Sequence, residues 1–128
     1  YMYGKMPPKP AEIKFEVTRE DKKYFDGRAT LREVTIQYGP QGAPPIHLLL
    51  VAPNGGSEPA PVVLGLNFCG NHTLLDDPKI AIPKVWMPNR CPGCEDNKAT
   101  EKGRGTRKER FDFAYAVERG YAVATFYH

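Results

Sequence analysis

The sequence predicts an α/β protein whose sheet begins antiparallel and becomes parallel. Three observations carry that expectation. Up to Asn67 the chain holds four strand-like runs, separated by Gly- and Pro-rich breaks. A segment with helical period then ends at Gly120. It is followed at once by Tyr121-Ala-Val-Ala-Thr-Phe-Tyr127, an apolar run of buried-strand character. Turn-linked neighbours pair antiparallel, whereas two strands joined through a helix lie parallel.

Taken in order, the opening 1–12, rich in Pro and aromatics, reads as an extended arm. Residues 13–67 carry the strands. Ile13-Lys-Phe15-Glu-Val17 alternates apolar and charged side chains, the period of a half-buried strand, and so does Ala29 to Tyr38. Between them Asp26-Gly27 is a tight-turn signal, because both residues tolerate positive φ. After the break at Gly39–Pro45, Ile46-His-Leu-Leu-Leu-Val51 is more uniformly apolar and so more central. Pro53–Pro59 has the composition of a surface turn. Pro61-Val-Val-Leu-Gly-Leu-Asn67 then reads as a strand covered on both faces. Residues 68–105 show no period and four prolines; a loop of that length within a compact domain is usually functional. A helix is expected over 106–119, with Thr106 as N-cap and Gly120 as the stop. Phe111, Ala114, Tyr115 and Glu118 would follow its i, i+3, i+4, i+7 spacing, and a strand over 121–127 comes next.

Composition narrows the class. The 128 residues carry 18 Lys plus Arg against 15 Asp plus Glu, a net charge of +3, with 41% hydrophobic and 11% aromatic residues. That is too apolar for a disordered chain, and no apolar run approaches the roughly 18 residues that span a bilayer. A small positive charge does not by itself argue for nucleic acid. The length fits one domain. The sequence lacks an initiator Met and an apolar leader, and it stops directly after a strand-like run, so a piece of a longer protein is expected.

The densest unusual segment is Gly65-Leu-Asn67-Phe68-Cys69-Gly70-Asn71-His72-Thr73, at the carboxyl end of the fourth run. Open α/β sheets bind ligands at that end. Gly70 permits close backbone approach, and Asn71 and His72 supply hydrogen-bonding groups. A turn whose polar side chains merely satisfy loop backbone is the equally weighted alternative.

The stretches GLNFCGNHTLLDDPKIAIP and GRGTRKERFDFAYAVERGYAVATFYH, with the opening YGKMPPKP, resemble the bacterial glucuronoyl-esterase-like and acetylxylan-esterase-like branch of the α/β-hydrolase superfamily. The resemblance implies the amino-terminal half of an α/β-hydrolase sheet, truncated, with no cofactor. It implies a serine carboxylic-ester hydrolase acting on plant cell-wall polysaccharide, on a glucuronoyl ester or on acetyl-xylan, secreted or periplasmic. The nucleophilic Ser, the acid and the His would lie beyond His128, so the chain alone would be inactive. What falls within it is one side of an oxyanion hole, in the loop Phe68, Cys69, Gly70, Asn71 and His72, with the backbone N–H of Cys69 or Gly70 as donor. Ser57, in a Gly-rich turn, matches no nucleophile elbow, and His47, within an apolar strand, reads as a packing residue.

The cysteines support a rival reading. Cys69-x-x-His72 and Cys91-x-x-Cys94 are two ligand pairs 18 residues apart, close to zinc-ribbon spacing, and would make a small zinc-stapled binding module. A local Cys91–Cys94 disulfide and free thiols are the other outcomes. Lys98, Lys102, Arg104, Arg107, Lys108 and Arg110, against Glu101 and Glu109, form one basic cluster. It reads first as a solvated surface; beside the site it would favour an acidic sugar. No nucleic-acid or membrane partner is expected. The final strand, 121–127, is expected as an unpaired apolar edge through which the chain self-associates.

Overall fold

The computed structural model describes residues 4–6, 8–56 and 59–127. A five-stranded mixed sheet organises the chain in the order β1-β2-β3-β7-β4. Its strands are β1 (Ile13–Tyr24), β2 (Ala29–Tyr38), β3 (Ile46–Pro53), β4 (Val62–Leu66) and β7 (Ala122–Tyr127). The pairs β1–β2, β2–β3 and β3–β7 are antiparallel, whereas β4–β7 is parallel in the register Val62↔Ala122 to Leu66↔Phe126. The switch from antiparallel to parallel pairing thus occurs as the alternation and the βαβ pattern require.

The β1–β2 corner places Phe25, Asp26 and Gly27 all at positive φ, and the Gly27 N–H donates to Lys23 O at 3.0 Å. Asn54, just past β3, locks that corner. Its amide donates to Lys22 O and to Gly27 O, both at 2.9 Å, and its Oδ1 accepts from Thr30 Oγ1 at 2.6 Å.

One face of the sheet carries the core. Ala29 and Leu31 of β2, Leu49 and Val51 of β3 and Val123 of β7 pack against Phe113 and Val117, with Leu74, Leu75 and Ile80 closing the layer. Phe113 and Val117 belong to α1 (Phe113–Glu118), which replaces the longer helix expected over 106–119. Two local competitions shorten it. The Arg107 N–H is drawn to Thr73 O at 2.8 Å, and Thr106 Oγ1 donates to Gly103 O instead of capping. Lys108–Arg110 form only a 3₁₀ turn, and Asp112, whose carboxylate accepts from the Tyr115 N–H, is the actual N-cap. The buried face is therefore Phe113 and Val117, an i, i+4 pair. Tyr115 is exposed, with the Arg119 guanidinium over its ring, and Glu118 is bound at the surface by Arg28.

Three expectations about exposure are corrected. The last strand is not an edge: β7 lies between β3 and β4. The edge is β4, expected to be covered on both faces, and its Val62, Val63, Leu64 and Leu66 are 46–63% exposed. A strand's apolar composition reports what it is fit to bury; among the described residues only β7 contacts β4 within the sheet. At the opposite edge Phe15 and Val17 of β1, expected as half-buried, are also exposed.

The 68–105 segment is not featureless. It contains 3₁₀ turns at Asn71–Thr73 and Glu101–Gly103 and a small hairpin, β5 (Cys94–Glu95) with β6 (Lys98–Ala99). Asp96 and Asn97, both at positive φ, make its two-residue turn. Arg19 anchors the outer part of the segment to the sheet through Asp77, at 2.8 Å.

Candidate functional site

The loop that leaves β4 is built by its own polar side chains. Asn67 is buried; its Oδ1 accepts from the Cys69 N–H at 3.1 Å and its Nδ2 donates to Gly70 O at 2.7 Å. Thr73 donates to the same carbonyl through Oγ1 at 2.9 Å and through its N–H at 3.2 Å. Three donors on one oxygen fix the turn. Gly70 sits at φ 84 and ψ 149, a conformation essentially restricted to glycine. Of the two backbone donors proposed from the sequence, the Cys69 N–H is occupied by Asn67. The Gly70 N–H has no hydrogen-bond acceptor among the described residues.

Asn71 and His72 face inward. Asn71 donates from Nδ2 to His47 O at 3.1 Å and accepts from Thr125 Oγ1 at 3.1 Å, which stitches the loop to β3 and β7. His72 is fully buried, and neither ring nitrogen has a hydrogen-bond partner. Its ring lies between two glycines: a Cβ on Gly70 would stand 3.0 Å from Nδ1, and one on Gly103 2.9 Å from Nε2. Burial, assisted by the Arg104 charge, holds the His72 imidazole below its ordinary pKa and so neutral. His47 is also held low by burial, and its ring stacks on Tyr127 with centroids 5.0 Å apart.

Cys69 is bonded to Cys91, with Cα atoms 5.4 Å apart, and Cys94 is the free cysteine. This overturns the zinc reading of Cys69, His72, Cys91 and Cys94, because two of the four candidate ligands are consumed in the bridge. It equally replaces the local Cys91–Cys94 pair. Within a Cys-x-x-Cys run the nearer partner is the obvious one. Here β5 begins at Cys94 and turns it away, while the Pro88–Cys91 turn brings Cys91 back to the β4 loop. Among the described residues no group of three or more His, Cys, Asp or Glu is placed to hold a metal ion. Burial raises the Cys94 thiol pKa, so it stays protonated at neutral pH.

The basic cluster disperses. Arg104 is nearly buried, bidentate on the Glu101 carboxylate and donating to Asp77 O and Ile80 O. Lys102 is paired with Glu95. Arg107 and Arg110 turn instead toward the Cys69–Cys91 disulfide, where they meet Arg90, which the sequence reading had not singled out.

A cleft of about 300 Å³ opens at the carboxyl ends of β4 and β7, lined by Leu66, Asn67, Phe68, Met87, Tyr127 and the exposed Trp86. Its far wall is placed by Asn97, which accepts at its carbonyl from the Met87 N–H at 2.9 Å and donates from its N–H to Asn89 Oδ1 at 2.7 Å. The Asp-Asn turn signal could have located this hairpin. Trp86 itself had no pattern around it. Burial pushes the Tyr127 phenol up to about 12, which keeps it neutral. Phe68 is 67% exposed at the cleft mouth, and Ser57 and His128 lie outside the described residues.

The chain is 37% identical over 129 aligned residues to a curated carbohydrate esterase, MZ0003, from an unknown prokaryotic organism. In solved structures it is similar to a promiscuous CE15 esterase from a marine bacterial metagenome, with TM-score 0.83 and 36% identity over 97% of this chain. Over nearly its whole length the chain is thus similar to part of a carbohydrate esterase. A glucuronoyl esterase from Solibacter usitatus also matches, with TM-score 0.80 and 35% identity over 97% of this chain. The chain spans 30% of the length of the curated relative and 31% of each of these two structures. No family profile matches it. The mixed sheet is accordingly part of an α/β-hydrolase sheet, with the described cleft at the carboxyl ends of its parallel pair. Among the described residues no helix is long and apolar enough to cross a membrane.

Proposed function

We propose that this glucuronoyl-esterase-like chain is the amino-terminal portion of a secreted or periplasmic serine carboxylic-ester hydrolase. Its substrate is plant cell-wall polysaccharide, with a glucuronoyl ester, ahead of an acetyl group on xylan, as the bond cleaved. The observation that carries the reading is the agreement in backbone, at TM-score 0.83, with an esterase over nearly all of this chain. The disulfide supports an oxidising compartment. In this reading the attacking Ser, its His base and the orienting acid come from the remainder of the protein, and the segment by itself turns over no ester.

What the segment contributes is charge stabilisation and shape. Attack of the Ser oxygen on the ester carbonyl places negative charge on the carbonyl oxygen, and a backbone N–H fixed in advance stabilises that charge without reorganising. We give that role to Gly70: among the described residues its N–H is unclaimed, and its peptide neighbours are held by Asn67 and Thr73. Asn71 and His72 act as supports for the loop rather than as groups that touch substrate.

The test is hydrolysis of benzyl glucuronate and of a chromogenic acetate by the full-length protein, with fluorophosphonate labelling of the nucleophile. Turnover of the glucuronate ester and a labelled serine outside this segment are expected. Turnover of the acetate alone would overturn the glucuronoyl assignment, and turnover of neither ester would overturn the esterase reading.

A further inference from the structure

Beside the β4 loop lies a second cleft, of about 370 Å³, floored by the Cys69–Cys91 disulfide and walled by Phe68, Pro92 and three arginines. Arg90, Arg107 and Arg110 come from two separate stretches of the chain, and among the described residues no Asp or Glu lines the cleft with them. Most arginines elsewhere hold a carboxylate: Arg19 on Asp77, Arg28 on Glu118, Arg32 on Glu20 and Arg104 on Glu101. Among the described residues these three hold none. Arg107 is also held in place: its N–H is bonded to Thr73 O at 2.8 Å, and its guanidinium lies against the Cys69 sulfur.

Three like charges gathered in a concave site repel one another, and an anion relieves that repulsion. The planar guanidinium fork matches an oxyanion with two parallel hydrogen bonds. An ester carbonyl carries no net charge, so the ester itself does not account for the three cations. Phe68 and Arg90 line both this cleft and the one at the ends of β4 and β7, so the two lie side by side across these residues. A polysaccharide seated in the first therefore presents a neighbouring sugar to the second, with Phe68 as an apolar wall for the ring.

We infer that the arginine cleft is an anionic-sugar subsite, which holds a carboxylate or sulfate on a sugar unit beside the one that bears the ester. The assignment to a sugar rests on the esterase reading; the affinity for an oxyanion does not.

Binding of D-glucuronate, D-glucose 6-sulfate and D-glucose to the full-length protein, followed by NMR titration, tests the inference. At least one anion is expected to bind about tenfold or more tightly than glucose, with affinity falling as salt is raised. Whichever anion binds identifies the group. R107Q/R110Q is expected to weaken that binding about tenfold or more, and R90Q, on a different loop, to weaken it as well. K108Q, an exposed charge outside the cleft, should stay within about twofold. Anions that bind no better than glucose would overturn the subsite, as would an equal loss in K108Q. Loss of all ester turnover with anion binding intact would refute the esterase reading and leave the oxyanion site standing.

Discussion

Replacement of both Cys69 and Cys91 by Ala is expected to lower the stability of the chain by about 3 kcal/mol. The cross-link joins residues 22 apart in sequence, and the chain-entropy relation for a loop of that length gives about 3.4 kcal/mol at 25 °C. Both residues are nearly fully buried, at 4% and 3% exposure, so Ala is the replacement that leaves no unpaired hydroxyl. With urea m-values of about 1–3 kcal/mol/M, the unfolding midpoint should fall by about 1–3 M, read by circular dichroism at low protein concentration. Cys94→Ala is the control. That residue is in no bridge and should move stability by no more than about 0.5 kcal/mol. Alkylation of the unreduced protein followed by peptide mass analysis should label Cys94 alone. Label on Cys69 or Cys91, or a double variant no less stable than Cys94→Ala, would refute the pairing and with it the fixed position of the β4 loop.

Three further outcomes follow from the same geometry. Gly70→Ala should cost about 2–5 kcal/mol, from backbone strain plus overpacking, because the new Cβ would stand 2.4 Å from Pro83 Cγ and 3.0 Å from His72 Nδ1. Gly120→Ala, at φ +79 with nothing within 4 Å, should cost only about 1–2 kcal/mol, and equal losses in urea unfolding would contradict the close-packed turn. The folded-state pKa of His72 is depressed below 6.5, so its contribution is fully present above that value and is lost as pH falls through the lower folded value. His72→Leu should flatten the decline in stability between about pH 7 and pH 5; the residual slope includes His47, depressed in the same sense, and an unchanged slope would refute the assignment. Leu64→Lys, on the exposed edge strand, should shift the isolated chain toward monomer in sedimentation with stability changed by no more than about 0.5 kcal/mol, and undiminished association would show that β4 is not the contact.

Local rules were legible where one stretch of chain decides its own conformation. The alternation of Ala29 to Tyr38, the Asp26-Gly27 corner and the Gly120 stop are of this kind, and each sits where the pattern places it. The helix start was not, because Thr106 and Arg107 are claimed by Gly103 and Thr73, partners that sequence spacing does not reveal. Burial was the least legible property. Val62-Val63-Leu64 has the composition of a central strand and stands at an edge, since composition records affinity for a neighbour and not its presence. Cys91 shows the same limit in covalent form: its partner is 22 residues away rather than three, because the β5 hairpin sets the direction of Cys94.

The candidate site combines both cases. Phe68 to Thr73 were visible as a dense polar loop after a strand, but besides its own Asn67 and Thr73 that loop is packed by Gly103 and tied by Arg107, and Gly103 meets Gly93. A Cβ on Gly93 would stand 2.0 Å from the Gly103 N, and one on Gly103 would meet both Pro92 O and His72 Nε2. The two arms of the long segment therefore touch through backbone, at positions where no side chain fits, and such contacts leave only glycines in the sequence with no sign of which pairs meet. The same approach swings Arg107 onto Cys69 and separates it from Arg104, its neighbour three residues earlier, which is drawn to Glu101. A run that reads as one basic patch is divided by that contact into a buried structural pair and an open cationic cleft. Charge counted along the chain thus could not reveal that division, whereas the disulfide and the close approach of Gly93 to Gly103 do.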